Sequence, residues 1–151
     1  MSSEGIDVSM SLLYYSRMRF ITQLMPLLLA SSWPAHVVSV YAAGCEKMGT
    51  LYKDDLSLTH NNMENYSFSA CRTNCVYMKT MYFERLAQEH PGKLSLVHAY
   101  PNLVVTETFV DPSFPLWFKV LWKMVGPVLS RLGVSAEEIG KRVRYLSLIH
   151  I

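Results

Sequence analysis

The sequence has little charge and no long apolar run. Charged residues make up 17% of the 151 residues, and the formal net charge is +2. Such a balance points to neither nucleic acid nor an acidic surface, so we predict no nucleic-acid partner. No stretch reaches the roughly 20 apolar residues that a membrane-spanning helix needs, so we predict no membrane span. Half of the residues are hydrophobic, which is typical of a chain that folds around a core.

Cysteine is also scarce. The three cysteines, Cys45, Cys71 and Cys75, form no even, regularly spaced set. That pattern favours a reducing compartment, and we predict a cytoplasmic protein. Cys71 and Cys75 lie one helical turn apart, but no second Cys or His pair accompanies them. We therefore predict small buried side chains and no metal site.

The glycines exclude one common motif. There are seven of them, and no two stand in the G-x-G spacing. A glycine-rich turn with that spacing cradles the pyrophosphate of a dinucleotide at a helix N-terminus. This chain therefore does not contain that turn.

Apolar periodicity predicts alternating helices and strands. Residues 9–31 read as a helix, because apolar side chains recur every three or four residues. Residues 66–89 read as a second helix, whose apolar stripe consists of Phe68, Cys71, Cys75, Met78, Tyr82 and Leu86. Two short apolar runs, His36–Ala42 and Leu94–Tyr100, read as buried strands of a parallel sheet. Long helices between such strands indicate an α/β fold.

The remaining segments are a polar loop and two C-terminal helices. Residues 45–64 read as a surface excursion, in which Asp54 and Asp55 are solvated charges. Residues 114–132 are apolar and rich in aromatics. Ser135 and the acidic residues after it have the form of a capping box that opens a last helix.

In this order, the segments resemble the C-terminal part of a short-chain dehydrogenase/reductase. Val37–Gly44 resembles the strand that carries the family's catalytic serine, and Tyr66–Ala70 its Tyr-x-x-x-Lys motif. Tyr100–Thr106 resembles the Pro-Gly-x-Val-x-Thr segment that packs against nicotinamide. Three further matches are Tyr14–Phe20, which is typical of a filamentous-fungal branch linked to secondary metabolism, Thr22–Leu28 and Val134–Leu146.

The resemblance implies a partial Rossmann-like, doubly wound parallel sheet without its N-terminal cofactor-binding half, so that residues 1–151 form a single partial domain. It implies an oxidoreductase that uses NADP or NAD on a hydrophobic ketone or alcohol, such as a fungal secondary-metabolite intermediate. Tyr66 takes the position of the catalytic acid, and Pro101 and Thr106 lie in the cofactor-binding segment. The choice between NAD and NADP and the reaction direction stay open.

Other positions depart from the family pattern. Ala70 stands where the family has lysine, Ala42 stands at about the serine position, and Tyr14 stands at about the position of the relay asparagine. Asn102 follows Pro101 where the family has glycine. A tyrosine without the lysine should keep a pKa near ~10 and act poorly as a base at neutral pH. The chain alone is therefore expected to be inactive.

Two other readings of the chain remain. One is a non-catalytic remnant, or a chain that associates with a complete homologue. The other is a small secreted or interfacial protein, because Met18–Ser32 imitates a signal peptide, although a buried helix explains the same residues.

Two local features carry hypotheses of their own. We predict that His98, which lies among apolar neighbours, is a core histidine with its hydrogen bonds satisfied. The stretch from Trp117 to Trp122 fits a lid over a bulky substrate, a helix packed on the sheet, or a membrane-touching helix.

Overall fold

The computed structural model describes residues 4–46, 50–59, 63–102, 104 and 114–148. They form two compact units, one up to Tyr100 and the other from Pro101 onward. The elements, in chain order, are α1 (Val8–Met10), a π-helical turn (Ser11–Tyr15), α2 (Ser16–Ala30), β1 (Ala35–Val40), α3 (Phe68–Glu89), β2 (Leu94–Ala99), α4 (Leu116–Leu132) and α5 (Ala136–Leu148).

The first helical segment runs without a break from α1 to the end of α2, which confirms the predicted helix. Asp7 caps it, because its Oδ1 accepts a hydrogen bond of 2.9 Å from the Met10 backbone N–H. Met18 and Ile21 of α2 are buried, and they pack with Phe83 and Leu86 of α3. The segment that imitates a signal peptide thus supplies core side chains, which favours the buried-helix reading.

The two predicted strands pair in parallel. The register runs from Ala35 opposite Leu94 to Val40 opposite Ala99. The α/β class is therefore confirmed, with a two-stranded sheet in the described part of the chain. Every residue of both strands is only partly buried, so the prediction of buried strands is wrong for the described part of the chain.

Helix α3 supplies most of the core of the first unit. Ser67 caps it by accepting a bond of 3.0 Å from the Ala70 N–H, and Gly92, with φ of +71°, follows its end. The predicted stripe is right at Cys71, Cys75 and Leu86, which are buried, but wrong at Phe68, which is 63% exposed. At the N-terminal end of the helix, Phe68 points away from the core that the later turns face.

The loop between β1 and α3 is not only a surface excursion. Leu58 has no exposed surface and Asp55 is 5% exposed, whereas Asp54 is exposed as predicted. The solvated assignment of Asp55 is therefore wrong. Its carboxylate is used inside the loop, where Oδ1 accepts a bond of 3.0 Å from the Thr59 N–H and Oδ2 accepts one of 3.5 Å from Asn65.

The second unit contains α4 and α5. The predicted cap of the last helix is confirmed, because Ser135 Oγ accepts a bond of 3.2 Å from the Glu138 N–H. Val104 and Val134 form an isolated parallel bridge. Among the helices of the described residues, none is both long enough and apolar enough to cross a membrane.

Replacing Asn74 should test how the loop between β1 and α3 is held in place. The fully buried amide donates to the Asp55 and Leu56 carbonyls at 3.4 and 3.2 Å and accepts from the Tyr52 N–H at 3.4 Å. Asn74→Ala leaves these groups without partners, so urea unfolding should show a loss of about 1–3 kcal/mol. Arg85→Ala, an exposed change on the same helix, should stay within about 0.5 kcal/mol. Equal losses of unfolding free energy in both variants would contradict the assignment of Asn74 as the residue that holds this loop.

Candidate functional site

Three of the positions that the family resemblance singles out gather around one cluster of buried side chains. The cluster consists of Met10, Leu58, Cys71 and Cys75. Tyr14, Tyr66 and Ala70 pack against it from the π-helical turn, the residues before α3 and the first turn of α3. The structure thus brings together the asparagine, tyrosine and lysine positions of the family motif.

Tyr66 is held by a carboxylate. Its hydroxyl donates a hydrogen bond of 2.9 Å to Asp7 Oδ2. This bond is the largest cause of a raised Tyr66 pKa, and burial adds to it. A bond to a carboxylate stabilises the neutral phenol, so Tyr66 stays protonated at neutral pH, and its raised pKa makes it a weaker acid than a free tyrosine.

Asp7 accepts several bonds at once. Burial raises the pKa of its carboxyl, but the bonds from the Met10 N–H, the Tyr66 hydroxyl and the Ser9 N–H outweigh burial and leave the pKa below its ordinary value. The Cys71 thiol also donates to Oδ1 at 3.8 Å. Asp7 is therefore charged at neutral pH and fixed beside Tyr66.

The serine and asparagine positions lack their usual groups. Ala42 is 2% exposed and packs with Cys45 and Val76, so no hydroxyl is present there. Ser39 lies within β1, opposite His98. Tyr14 packs its ring edge-on against Tyr15, with centroids 5.2 Å apart, and burial raises its pKa. Ala42 therefore offers no hydroxyl to orient a substrate carbonyl, and Tyr14 has a phenol ring in place of the amide of the family's relay asparagine.

Helix α3 contains a buried cation that its apolar pattern does not predict. Lys79 has no exposed surface, and its Nζ has no hydrogen-bond partner among the described residues. Nζ lies 4.3 Å from the centroid of the Tyr41 ring, which gives it a cation–π contact. Burial lowers the Lys79 pKa to about 8, and the nearby Arg17 guanidinium contributes to the shift. Tyr41 itself is half-buried, and this burial raises its pKa to about 12.

A chain of polar side chains runs beside Lys79. Thr80 Oγ1 donates to Glu46 Oε1 at 3.0 Å and lies 3.0 Å from His98 Nδ1. Because the hydroxyl proton goes to Glu46, His98 Nδ1 carries a proton and Nε2 does not. Nε2 is buried without a described partner, so the prediction of a satisfied histidine is only half right. Burial lowers the His98 pKa to about 4, so the ring is neutral at pH 7.

The predicted cofactor segment is described only in part. Pro101 and Asn102 are described, whereas Thr106 lies outside the described residues. Asn102 has φ of +62°, a left-handed backbone that asparagine adopts more readily than most residues other than glycine. The departure from the family's Pro-Gly pair thus keeps the backbone conformation that glycine would allow.

The cysteines behave as predicted. Cys71 and Cys75 have no exposed surface, Cys45 is buried, and all three are free thiols. Burial raises the pKa of both Cys71 and Cys75. Within the described ranges, no group of three or more Cys, His, Asp or Glu side chains could hold a metal ion.

Comparison with known proteins decides the family. A short-chain dehydrogenase/reductase of Stachybotrys chartarum shares 40% sequence identity with this chain over a match that covers 97% of the chain. An oxidoreductase of Emericella nidulans shares 39% identity over a match of the same coverage. The chain is a relative of the short-chain dehydrogenases/reductases. An NmrA-like family domain-containing oxidoreductase of an Aspergillus species is 40% identical over 71% of the chain. The resemblance to the family, and to members of it from filamentous fungi, is thereby confirmed.

The match covers only part of each relative. The chain spans 40% of the length of the Stachybotrys protein, 42% of the Emericella nidulans protein and 31% of the Aspergillus protein. No family model matches the chain. No solved structure matches it either.

The described residues of this dehydrogenase relative do not fit a complete nicotinamide site. The groups that shift the Tyr66 pKa are Asp7, Ser9 and Cys71, and none of them is a cation. Ala70 occupies the place of the lysine that would hold the nicotinamide ribose in the family, and no glycine-rich turn is present in the chain. The residues present therefore provide a tyrosine hydroxyl, but neither the pyrophosphate cradle nor the ribose-binding cation.

Removing the Asp7 charge should lower the Tyr66 pKa. Asp7→Asn deletes the carboxylate that favours the neutral phenol, so the Tyr66 pKa should fall toward ~10. NMR titration of chains with labelled tyrosine rings would measure it, with Tyr66→Phe to assign the resonance. Glu4→Gln, an exposed change close in sequence, is the matched control. An unchanged Tyr66 pKa in Asp7→Asn would contradict the assigned bond.

Removing the buried amine should stabilise the chain. The folded-state Lys79 pKa, about 8, lies below its ordinary value of 10.5, so the folded state carries a penalty for the charged amine below pH 8. Lys79→Met should raise the free energy of unfolding by about 1–3 kcal/mol at pH 7. This advantage should shrink as the pH rises from 8 toward 10.5, because the native amine then loses its charge.

Urea unfolding at pH 7 and pH 9.5 would measure both effects. Lys53→Met, at an exposed position, should change stability by less than about 0.5 kcal/mol at either pH. A Lys79→Met chain that is less stable at pH 7 would show that the amine has a partner outside the described residues.

Proposed function

We propose that this chain is the part of an NAD(P)-dependent oxidoreductase that carries the catalytic tyrosine position, Tyr66. The observation behind the proposal is the convergence of Tyr14, Tyr66 and Ala70, three positions of the family motif, around one buried cluster. The names of the relatives, a short-chain dehydrogenase/reductase and oxidoreductases, support the same class of reaction. We also propose that the protein has a doubly wound, Rossmann-like sheet and a cytoplasmic location.

The role we assign to Tyr66 is that of a proton donor. Its hydrogen bond to the charged Asp7 keeps the phenol protonated at neutral pH. Proton donation completes the reduction of a ketone to an alcohol, and the reverse transfer belongs to oxidation, so this role leaves the reaction direction open. The substrate we propose is a hydrophobic ketone or alcohol, such as a fungal secondary-metabolite intermediate, and the fungal origin of the relatives supports this choice.

Pro101 and Thr106 remain our candidates for the residues that contact the nicotinamide. Their support is the resemblance of the segment that contains them and the left-handed backbone at Asn102, where the family has glycine. The cofactor is NADP or NAD, because neither the sequence nor the fold distinguishes the two.

A second proposal is that the chain is a non-catalytic partner of a complete homologue. Ala70, Ala42 and Tyr14 replace the lysine, serine and asparagine of the family, and these replacements remove three of its four catalytic groups. A chain with that set would keep the helix faces of the family but not its chemistry.

Titration with nicotinamide cofactors tests whether this chain binds a cofactor by itself, which neither proposal expects. The 151-residue chain should show no saturable change in NADPH or NADH fluorescence, because it lacks a pyrophosphate cradle and the ribose-binding lysine. Far-UV circular dichroism would establish that the titrated chain is folded. Saturable binding in the micromolar range would overturn the expectation, and the Tyr66→Phe chain would then show whether Tyr66 contributes to turnover.

A further inference from the structure

Helix α4 carries apolar side chains on more of its circumference than its own packing uses. One stripe, formed by Phe118, Trp122, Gly126 and Leu129, is partly or fully buried. The Phe118 ring stacks with those of Phe114 and Trp122, with centroids 4.5 and 6.4 Å apart. The residues of the stripe lie three and four apart, so they form one face of α4, and the aromatic rings on it contact one another.

A second apolar face lies beside that stripe and is exposed. We call it the outer face of α4, and it consists of Leu116, Trp117, Val120, Leu121, Met124, Val125 and Val128. At 100° per residue these positions span about half of the helix circumference. Leu116, Trp117 and Met124 are 76%, 66% and 74% exposed. Exposed apolar patches that are this continuous mark sites of interaction.

The charges on α4 are all of one sign. Lys119, Lys123 and Arg131 are exposed, and the helix contains no acidic residue. Lys123 lies at the edge of the outer face, and Arg131 lies near the C-terminal end of the helix. Long basic side chains at the rim of an apolar face keep their charge in water while their stems cover apolar surface.

We propose that the outer face of α4 docks onto an anionic lipid surface, with the helix lying in the plane of the interface. A broad apolar face that includes a tryptophan and is flanked only by cations suits the boundary between acyl chains and negatively charged headgroups. A protein partner of ordinary mixed charge would not require this one-sided balance. The proposal does not depend on the proposed oxidoreductase function, because docking needs neither cofactor nor substrate.

Vesicle sedimentation with the 151-residue chain tests the proposal. The chain should pellet with vesicles of phosphatidylcholine and phosphatidylserine and bind more weakly to phosphatidylcholine alone. Met124→Asp should weaken binding to the mixed vesicles by at least about tenfold, because a carboxylate then enters the interface. Leu27→Asp, an equally exposed position on α2, should change binding by less than about twofold.

Charge removal tests the lipid assignment separately. Lys123→Gln and Arg131→Gln should each weaken binding to the mixed vesicles by about fivefold and leave binding to neutral vesicles unchanged. Circular dichroism would show that each variant keeps the helix content of the native chain. The proposal fails if the chain pellets with neither vesicle, which would assign the face to a substrate or a protein segment. It also fails if Leu27→Asp acts like Met124→Asp, or if the charge variants bind as the native chain does.

Discussion

The buried face of α3 holds the first unit together, and it does so with polar as well as apolar groups. Cys71, Asn74, Cys75 and Lys79 are spaced so that they share one face of the helix, and none has exposed surface. Three of them contact different neighbours. Cys71 reaches the N-terminal Asp7, Asn74 fixes the loop that follows β1, and Lys79 lies against Tyr41 at the end of β1. Buried polar groups of this kind specify their neighbours, because every unmade bond is costly. The amine of Lys79 carries such a cost, since it has no hydrogen-bond partner among the described residues.

This arrangement inverts the electrostatics that the family uses. In the family, a lysine one turn after the tyrosine lowers the pKa of the tyrosine. Here a lysine is present on the same helix, but its amine lies over Tyr41, while Tyr66 contacts the carboxylate of Asp7. The cation therefore contacts the ring of Tyr41, which does not correspond to a catalytic residue of the family. The proposed proton donor is left with a raised pKa, which keeps it protonated at neutral pH and makes it a weaker acid than the family's tyrosine.

Much of this fold could be predicted from periodicity, because the strands and long helices carry regular apolar patterns. The exposure of Phe68 and the burial of Lys79 differ from expectation for one reason. A buried stripe that is defined by apolar residue type includes Phe68 and leaves out Lys79. Lys79 stands four residues after Cys75, so its spacing did place it on the buried face. What the sequence could not show is that a tyrosine ring would cover the amine. The bond between Asp7 and Tyr66 spans 59 residues, and no local pattern predicts such a contact.

The sheet is the least protected part of the first unit. Parallel strands are usually buried on both faces, yet β1 and β2 contain no fully buried residue. Side chains on one face, including Val37 and Leu96, pack with the cluster that α2 and α3 form. Arg17 of α2 adds a bond of 2.9 Å to the Val40 carbonyl at the end of β1. These contacts reach one face of the sheet, so α2 and α3 support the sheet from that face through Ile21, Phe83 and Leu86.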